Sequence, residues 1–260
     1  MRKLIFTRGN AKLDSQILTF SLPAGWSCPG ASLCQSKIVK KSDGSYRVQD
    51  GSKCKFRCFA ATDEAKYPTV RKSRWHNFNL LKRAGTTGKM AELINNSLPD
   101  SLFPIVVRIH VAGDFFNQSY FDAWLKVAQS RPLDLFYAYT KTIPFWINRK
   151  KKIPHNFKLT ASIGGKFDNL VGVHKLKNAR VVYSIREAET LKLPIDHDDR
   201  HAFRDMGNFA LLLHGSQPAG TIESKAWTTL KKQGKGGYHN QKKGRLISKM
   251  SGGIPGHNRA

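Results

Sequence analysis

The sequence predicts an α/β protein: a partial or irregular (β/α) barrel of parallel strands with an N-terminal four-Cys metal-binding region. Apolar, often β-branched runs recur at intervals of two to three dozen residues, leaving room for a helix or loop between each. The runs are near-continuous rather than alternating, as expected of strands buried on both faces. Each also ends on polar residues, and sites on parallel α/β sheets lie beyond the carboxyl ends of their strands. The first two observations allow a doubly wound sheet as well; the polar strand ends favour the barrel.

Taken in order, Ile17 to Leu22 reads as a strand running into a cysteine-bearing region at 20–62. Residues Arg71 to Arg83 read as a helix, basic on one side and apolar on the other, and Met90 to Leu98 as a second, ended by Pro99. A βα core at 100–220 follows. Its strands are Ile105–Val111, Leu133–Tyr139, Phe157–Ser162, Arg180–Ser184 and Phe209–His214. A helix spans Gln118 to Ser130, with Tyr120, Phe121, Trp124, Leu125 and Ala128 as its apolar stripe and Pro132 beyond it. Shorter helices are expected at Ile143–Asn148 and Glu187–Leu191. The whole reads as one domain over 1–224 and a basic Lys/Gly-rich tail over 225–260.

The cysteines number four, in two close pairs: Cys28 and Cys34, then Cys54 and Cys58. Pro23, Gly25, Pro29 and Gly30 place the first pair on turns, and a Lys-rich, Gly-bearing loop separates the two pairs. Short loops aim paired sulfurs the same way, which delivers four thiolates to one point. Met1 to Phe6 does not open a secretory signal, so reduced thiols are expected rather than disulfides. Zinc wants two to four residues between paired ligands, which Cys54 and Cys58 satisfy and Cys28 and Cys34 do not. An iron–sulfur cluster is larger and tolerates wider spacing. On spacing, zinc and iron–sulfur stand level.

The charge of +26 and isoelectric point near 10.2 call for a polyanionic partner, of which nucleic acid is the commonest. Arg71, Lys72, Arg74, Lys82 and Arg83 on the basic helix, and Lys231, Lys232, Lys242, Lys243 and Arg245 in the acid-free tail, are the expected phosphate contacts. No run approaches the ~18 apolar residues of a membrane span, so no membrane partner is expected.

At the strand ends stand His110 and Asp114, then Tyr139, Thr140 and Lys141, then Ser162, Ser184 with Arg186, and His214. These are expected to converge on one mouth with room for a small-molecule substrate. In it His110 and His214 serve as acid/base, Asp114 as orienter, Lys141 as charge stabiliser and Ser162 as nucleophile. The patch Asp196-His197-Asp198-Asp199 with His201 reads as an exposed, helix-capping loop or as a second metal or acid/base cluster.

Several long strings carry a resemblance. They are Gly9–Leu13, Phe20–Ala31, Arg108–Phe116, Phe136–Lys141, Ile195–Asp199 and Leu211–Gly220. They resemble the "gene product eighty-eight" family of phage proteins, which implies a virus-encoded protein of the host bacterial cytoplasm and little about mechanism. A weaker likeness, through Arg108–Phe116 and Phe136–Lys141, runs to radical-SAM-like phage proteins with partial (β/α) barrels and an N-terminal cluster. That likeness implies [4Fe–4S] over Zn. The chain departs from the radical-SAM pattern at Ala61, which stands where a third closely spaced Cys belongs. Cys28 and Cys34 would instead complete a four-Cys cluster without a vacant iron.

The expected function is therefore that of an iron–sulfur cluster-binding phage protein engaging nucleic acid. The alternatives are an ester or phosphoester hydrolase at the strand-end mouth, preferred to radical-SAM chemistry if the protein is an enzyme, and a zinc-stabilised nucleic-acid-binding module.

Overall fold

A computed structural model describes residues 2–10, 12–204 and 206–235 of the chain. Seven strands form one sheet in the order β1 (Thr7–Arg8), β2 (Ile17–Ser21), β5 (Val106–Ala112), β6 (Leu135–Thr140), β7 (Phe157–Ser162), β8 (Asn178–Val182) and β9 (Phe209–Leu212). From β2 to β9 every pairing is parallel; only β1 runs antiparallel, along the outer side of β2. Strand order follows chain order, so each connection returns to the next position with its helix or loop outside the ladder. The α/β class and the parallel sheet thus stand as expected. The partial barrel is not shown: the strands form one open sheet, and among the described residues no ladder joins β9 to β1. Edge strand β1 lies along the outer side of β2.

One face of the sheet carries α2 (Pro68–Ala84), α3 (Thr87–Asn95) and α4 (Gln118–Ser130). Their buried side chains, among them Leu81, Met90, Ile94, Phe121 and Trp124, pack on Phe20, Val107, Ile109 and Phe136. The bounds of α4 are those its sequence predicts, because Asn117 caps it by accepting from the Tyr120 amide at 2.8 Å and Pro132 blocks its extension. The opposite face holds a second cluster of Leu13, Ile17, Val106, Tyr137, Ala179, Phe203 and Phe209. Burial on both faces is why these strands read as continuous apolar runs.

Three stretches depart from their sequence reading. The expected loop between the cysteine pairs is a hairpin, β3 (Ser36–Lys40) and β4 (Tyr46–Asp50), turned at Asp43-Gly44 with the Ser45 amide donating to Asp43 Oδ1 at 2.8 Å. Residues after Cys58 form an unexpected helix, α1 (Phe59–Lys66). Its fully buried Glu64 accepts from Arg74 Nη1 at 3.0 Å and from the Ala24 amide at 2.7 Å, tying α1 to α2 and to the first cysteine turn. The expected tail boundary at 225 falls within α9 (Ile222–Lys232). Thr221 caps this helix, Glu223 and Lys231/Lys232 suit its dipole, and Leu230 is buried against Leu212 and Leu213. The rest of the tail, with Lys242, Lys243 and Arg245, lies outside the described residues.

Candidate functional site

Beyond the carboxyl ends of the parallel strands lies a cavity of about 620 Å³, within the size range of small-molecule sites. His110, Asp114, Lys141, Ser162 and His214 all line it, together with Tyr139 and Thr140. Ser184 and Arg186 do not. Ser184 caps α7 (Ile185–Thr190) by accepting from the Glu187 amide at 3.1 Å, and Arg186 is exposed.

His110 owes its position to a bulge. Thr19 pairs with Arg108 and Ser21 with Ala112, so the single residue Phe20 faces three on β5, and His110 takes a left-handed φ of 65°. Such strain in a non-glycine residue persists only where surrounding structure enforces it. Here ring packing against Phe115 and a 3.0 Å hydrogen bond between His110 Nε2 and Tyr120 Oη do so. Nδ1 is buried on the cavity lining without a hydrogen-bond partner.

Burial pushes the His110 pKa down to about 3, so the ring is neutral at pH 7. The folded value lies below the unfolded one of about 6.5. Below that pH the unfolded chain takes up a proton that the native ring refuses. This share of stability is complete above about pH 6.5 and is lost as pH falls toward 3. The expected loss is about 1.4 kcal/mol per pH unit, or about 2 kcal/mol between pH 6.5 and 5. Urea midpoints across that window measure it, and His110→Gln should decline less steeply.

Asp114 accepts from Thr140 Oγ1 at 2.7 Å and from the Lys141 amide at 2.8 Å, which locks β5 to the end of β6. Burial nonetheless raises its pKa. Lys141 Nζ donates to Ser162 Oγ at 2.5 Å, Ser162 O at 3.0 Å and Ile163 O at 3.2 Å, so all three ammonium hydrogens point at oxygens. His214 Nδ1 meets Leu212 O at 3.1 Å and its ring packs on Phe59; burial pushes its pKa down to about 4.

All four cysteines are free, and they approach this cavity unequally. Cys28, Cys34 and Cys58 line it; Cys54 does not. Cys54 Sγ donates to Phe56 O at 3.2 Å and lies 3.6 Å from Ser36 Oγ. The first cysteine turn is clamped over the ends of β6 and β7: Leu33 N donates to Gly164 O at 2.9 Å, and Lys166 N to Gly30 O at 2.9 Å. A Cβ at Gly30 would collide with the Lys141 carbonyl, so only glycine permits this approach. Burial raises the Cys28 thiol pKa well above its ordinary value, with Asp114, Cys58 and Cys34 adding to the rise. Burial and Cys34 likewise raise Cys58, and burial raises Cys54. Cys34 thus lies near enough to Cys28 and Cys58 to oppose their ionisation. Among the described residues, no three or more His, Cys, Asp or Glu converge as ligands of a single metal ion.

The acidic patch is not an exposed loop, since Asp196 and Asp199 are fully buried. Asp199, at a left-handed φ of 66°, accepts from Tyr137 Oη at 3.1 Å and Tyr139 Oη at 3.2 Å. It pairs with Lys12 at 2.5 Å and with Arg108 at 2.6 Å. Asp196 accepts from the Asp199 amide at 2.8 Å and meets His201 Nδ1 at 2.9 Å. Because Lys12, Arg108 and Tyr139 also line the cavity, this network forms part of its supporting wall. Sequence reading missed Arg108, whose only signal was a lone cation within an apolar strand.

Of the basic residues expected to meet phosphate, Lys72, Lys82 and Arg83 are exposed on α2, and Lys231 and Lys232 on α9. Arg74 is not available, being 6% exposed and bonded to Ala60 O and Glu64. No helix among the described residues is long and apolar enough to cross a membrane.

Fold and site together define a parallel α/β protein with a thiol-bearing cavity at its strand ends. The sequence pattern of the family described as Gene product 88 matches residues 3–236, and the chain belongs to this phage family. A "Gene 88 protein" of Mycobacterium phage L5 is 28% identical over 131 residues, a stretch covering 47% of each chain. The chain thus spans about half the length of that relative. No solved structure matches.

Proposed function

We propose that this is an iron–sulfur protein with an incomplete (β/α) barrel, whose Cys28, Cys34 and Cys58 hold a [4Fe–4S] cluster at the wall of a small-molecule cavity. The observation that carries this reading is the meeting of three free thiols on the cavity lining, beside the polar strand ends, with burial raising the pKa of Cys28 and Cys58. The donor set is all thiol, which suits a cluster. A single zinc needs four ligands about 2.0–2.3 Å from one point, and the described residues do not converge that tightly. When bound, the cluster would supply electron transfer or Lewis acidity beside the cavity.

Around it, this chain's own groups have separate tasks. Asp114 and Lys141 hold the ends of β5, β6 and β7 in register, and the neutral His110 offers its free ring nitrogen to whatever enters. The +26 charge supports nucleic acid as partner, and family membership supports a phage protein acting in the host cytoplasm. Hydrolysis ranks second. Ser162 lies against Lys141, but an ammonium donating to three oxygens has no lone pair with which to take the serine proton.

Protein purified without oxygen is expected to be brown, with a broad visible absorption and about four irons and four sulfides per chain. Colourless protein holding one zinc would reject the cluster and favour a zinc-stabilised module.

A further inference from the structure

Three large aromatic side chains stand in solvent on one side of the cysteine region: Trp26 is 46% exposed, Tyr46 36% and Tyr67 44%. Each has a cation over its face. Lys37 Nζ is 4.5 Å from the Trp26 ring centre, Arg71 Cζ 3.9 Å from that of Tyr46, and Lys66 Nζ 5.1 Å from that of Tyr67. The rings are anchored. Trp26 Nε1 donates to Ile38 O at 3.0 Å, its ring packs on Trp75 at 5.9 Å, and Arg71 Nη1 bonds Glu64 O at 2.6 Å. Helix α2 makes the surface continuous, since Tyr67, Arg71 and Trp75 follow at intervals of four residues along one helix face.

The local charge is predominantly positive. Residues 65–91 contain seven Lys or Arg and no acid, and all but the buried Arg74 can contribute to the surface. In the hairpin, Lys40, Lys41 and Arg47 are exposed against one exposed acid, Asp43, and Asp50 is already paired with Arg57. Aromatic faces interleaved with cations at fixed positions recognise stacked bases and the phosphates between them. A duplex hides its base faces, whereas a single strand presents them.

We infer that the surface formed by Trp26, Tyr46, Tyr67 and Arg71 is a stacking platform for single-stranded nucleic acid. The inference rests on the nucleic-acid reading above and assigns it a place and a substrate class. Gly25 and Val70, chain neighbours of Trp26 and Arg71, line the cavity, so a strand on the platform passes beside its mouth.

The test uses the full chain and fluorescently labelled oligothymidylate, oligouridylate and a duplex of equal length, titrated at two salt concentrations. The single strands are expected to bind more tightly than the duplex and to quench tryptophan emission. Tyr46→Ala and Tyr67→Ala, on solvent-exposed rings, are each expected to weaken single-strand binding about 5- to 150-fold. Trp26→Ala should do the same, and Trp26→Phe should restore most of the affinity. Single-strand binding unchanged in all three alanine variants would overturn the platform while leaving the nucleic-acid reading intact. So would a duplex bound as tightly as the single strands, or displacement of the strand by polyglutamate at equal charge. Absence of binding to every probe would overturn both.

Discussion

Serine at Cys28, Cys34 or Cys58 is expected to remove the visible chromophore and most of the iron, while Cys54→Ser keeps more than half of both. In the sequence the four residues form two pairs, and nothing there sets Cys54 apart from its partner Cys58. The structure separates them: three line the cavity, and the fourth spends its thiol hydrogen on the Phe56 carbonyl. A serine oxygen is a poor replacement for a thiolate at iron, so each true ligand should be intolerant. Ligation also requires each thiol to lose its proton. Burial raises the pKa of Cys28 and Cys58, so reconstitution should release protons and proceed more completely at pH 8.5 than at pH 6.5. Iron and sulfide assays on the four single variants, purified anaerobically, decide the matter. Equal loss in all four would make Cys54 a ligand and return the site to a four-thiolate cluster. Full retention in Cys28→Ser would displace the site from the cavity wall.

Asp199→Ala is expected to destabilise the fold by about 3–5 kcal/mol, the cost of breaking a buried ion network from one side. Burial alone would drive the Asp199 carboxyl toward its neutral form. Arg108, Lys12 and the hydrogen bonds from Lys12 and Tyr137 outweigh that and hold its pKa below the ordinary carboxylate range. Removing it takes from Arg108 and two phenols their shared buried acceptor, while Lys12 keeps Asp196 at 3.3 Å. The depressed pKa also fixes the sign of the pH dependence. The stability it contributes is present above the unfolded value of about 3.9 and is lost as pH falls through the lower folded one. Urea unfolding at pH 7 gives the mutational cost. A loss under 1 kcal/mol would show that Asp196, which already meets Lys12 at 3.3 Å, takes over the pairing. The companion Tyr139→Phe, which removes one hydrogen bond without exposing a charge, should cost about 1 kcal/mol.

The strands and the long helices were legible because local chemistry agreed with the final environment. Ile105 to Val111 is β-branched and buried on both faces, and Gln118 to Ser130 carries a helical stripe with a cap at one end and proline beyond the other. That the five polar strand-end groups would share a cavity was legible too, because parallel strands in chain order bring their carboxyl ends together. The hairpin between the cysteine pairs was hidden by its lysines, although its Asp-Gly turn was in plain view. Helix α1 was hidden because Glu64, a residue that reads as solvent-facing, is buried by pairing with Arg74 ten positions on.

Composition, periodicity and turn residues determined the α/β class, the parallel strands and the basic character of this chain. Those properties follow from residue types and short spacings. Only the tertiary structure decided that three cysteines and not four face the cavity, that Arg74 is interior and Arg71 lies on a tyrosine, and that Asp199 is ionised within the core. Each of these depends on residues ten to nearly two hundred positions apart. At that range no local pattern says which charge finds which partner, and burial sets its energy.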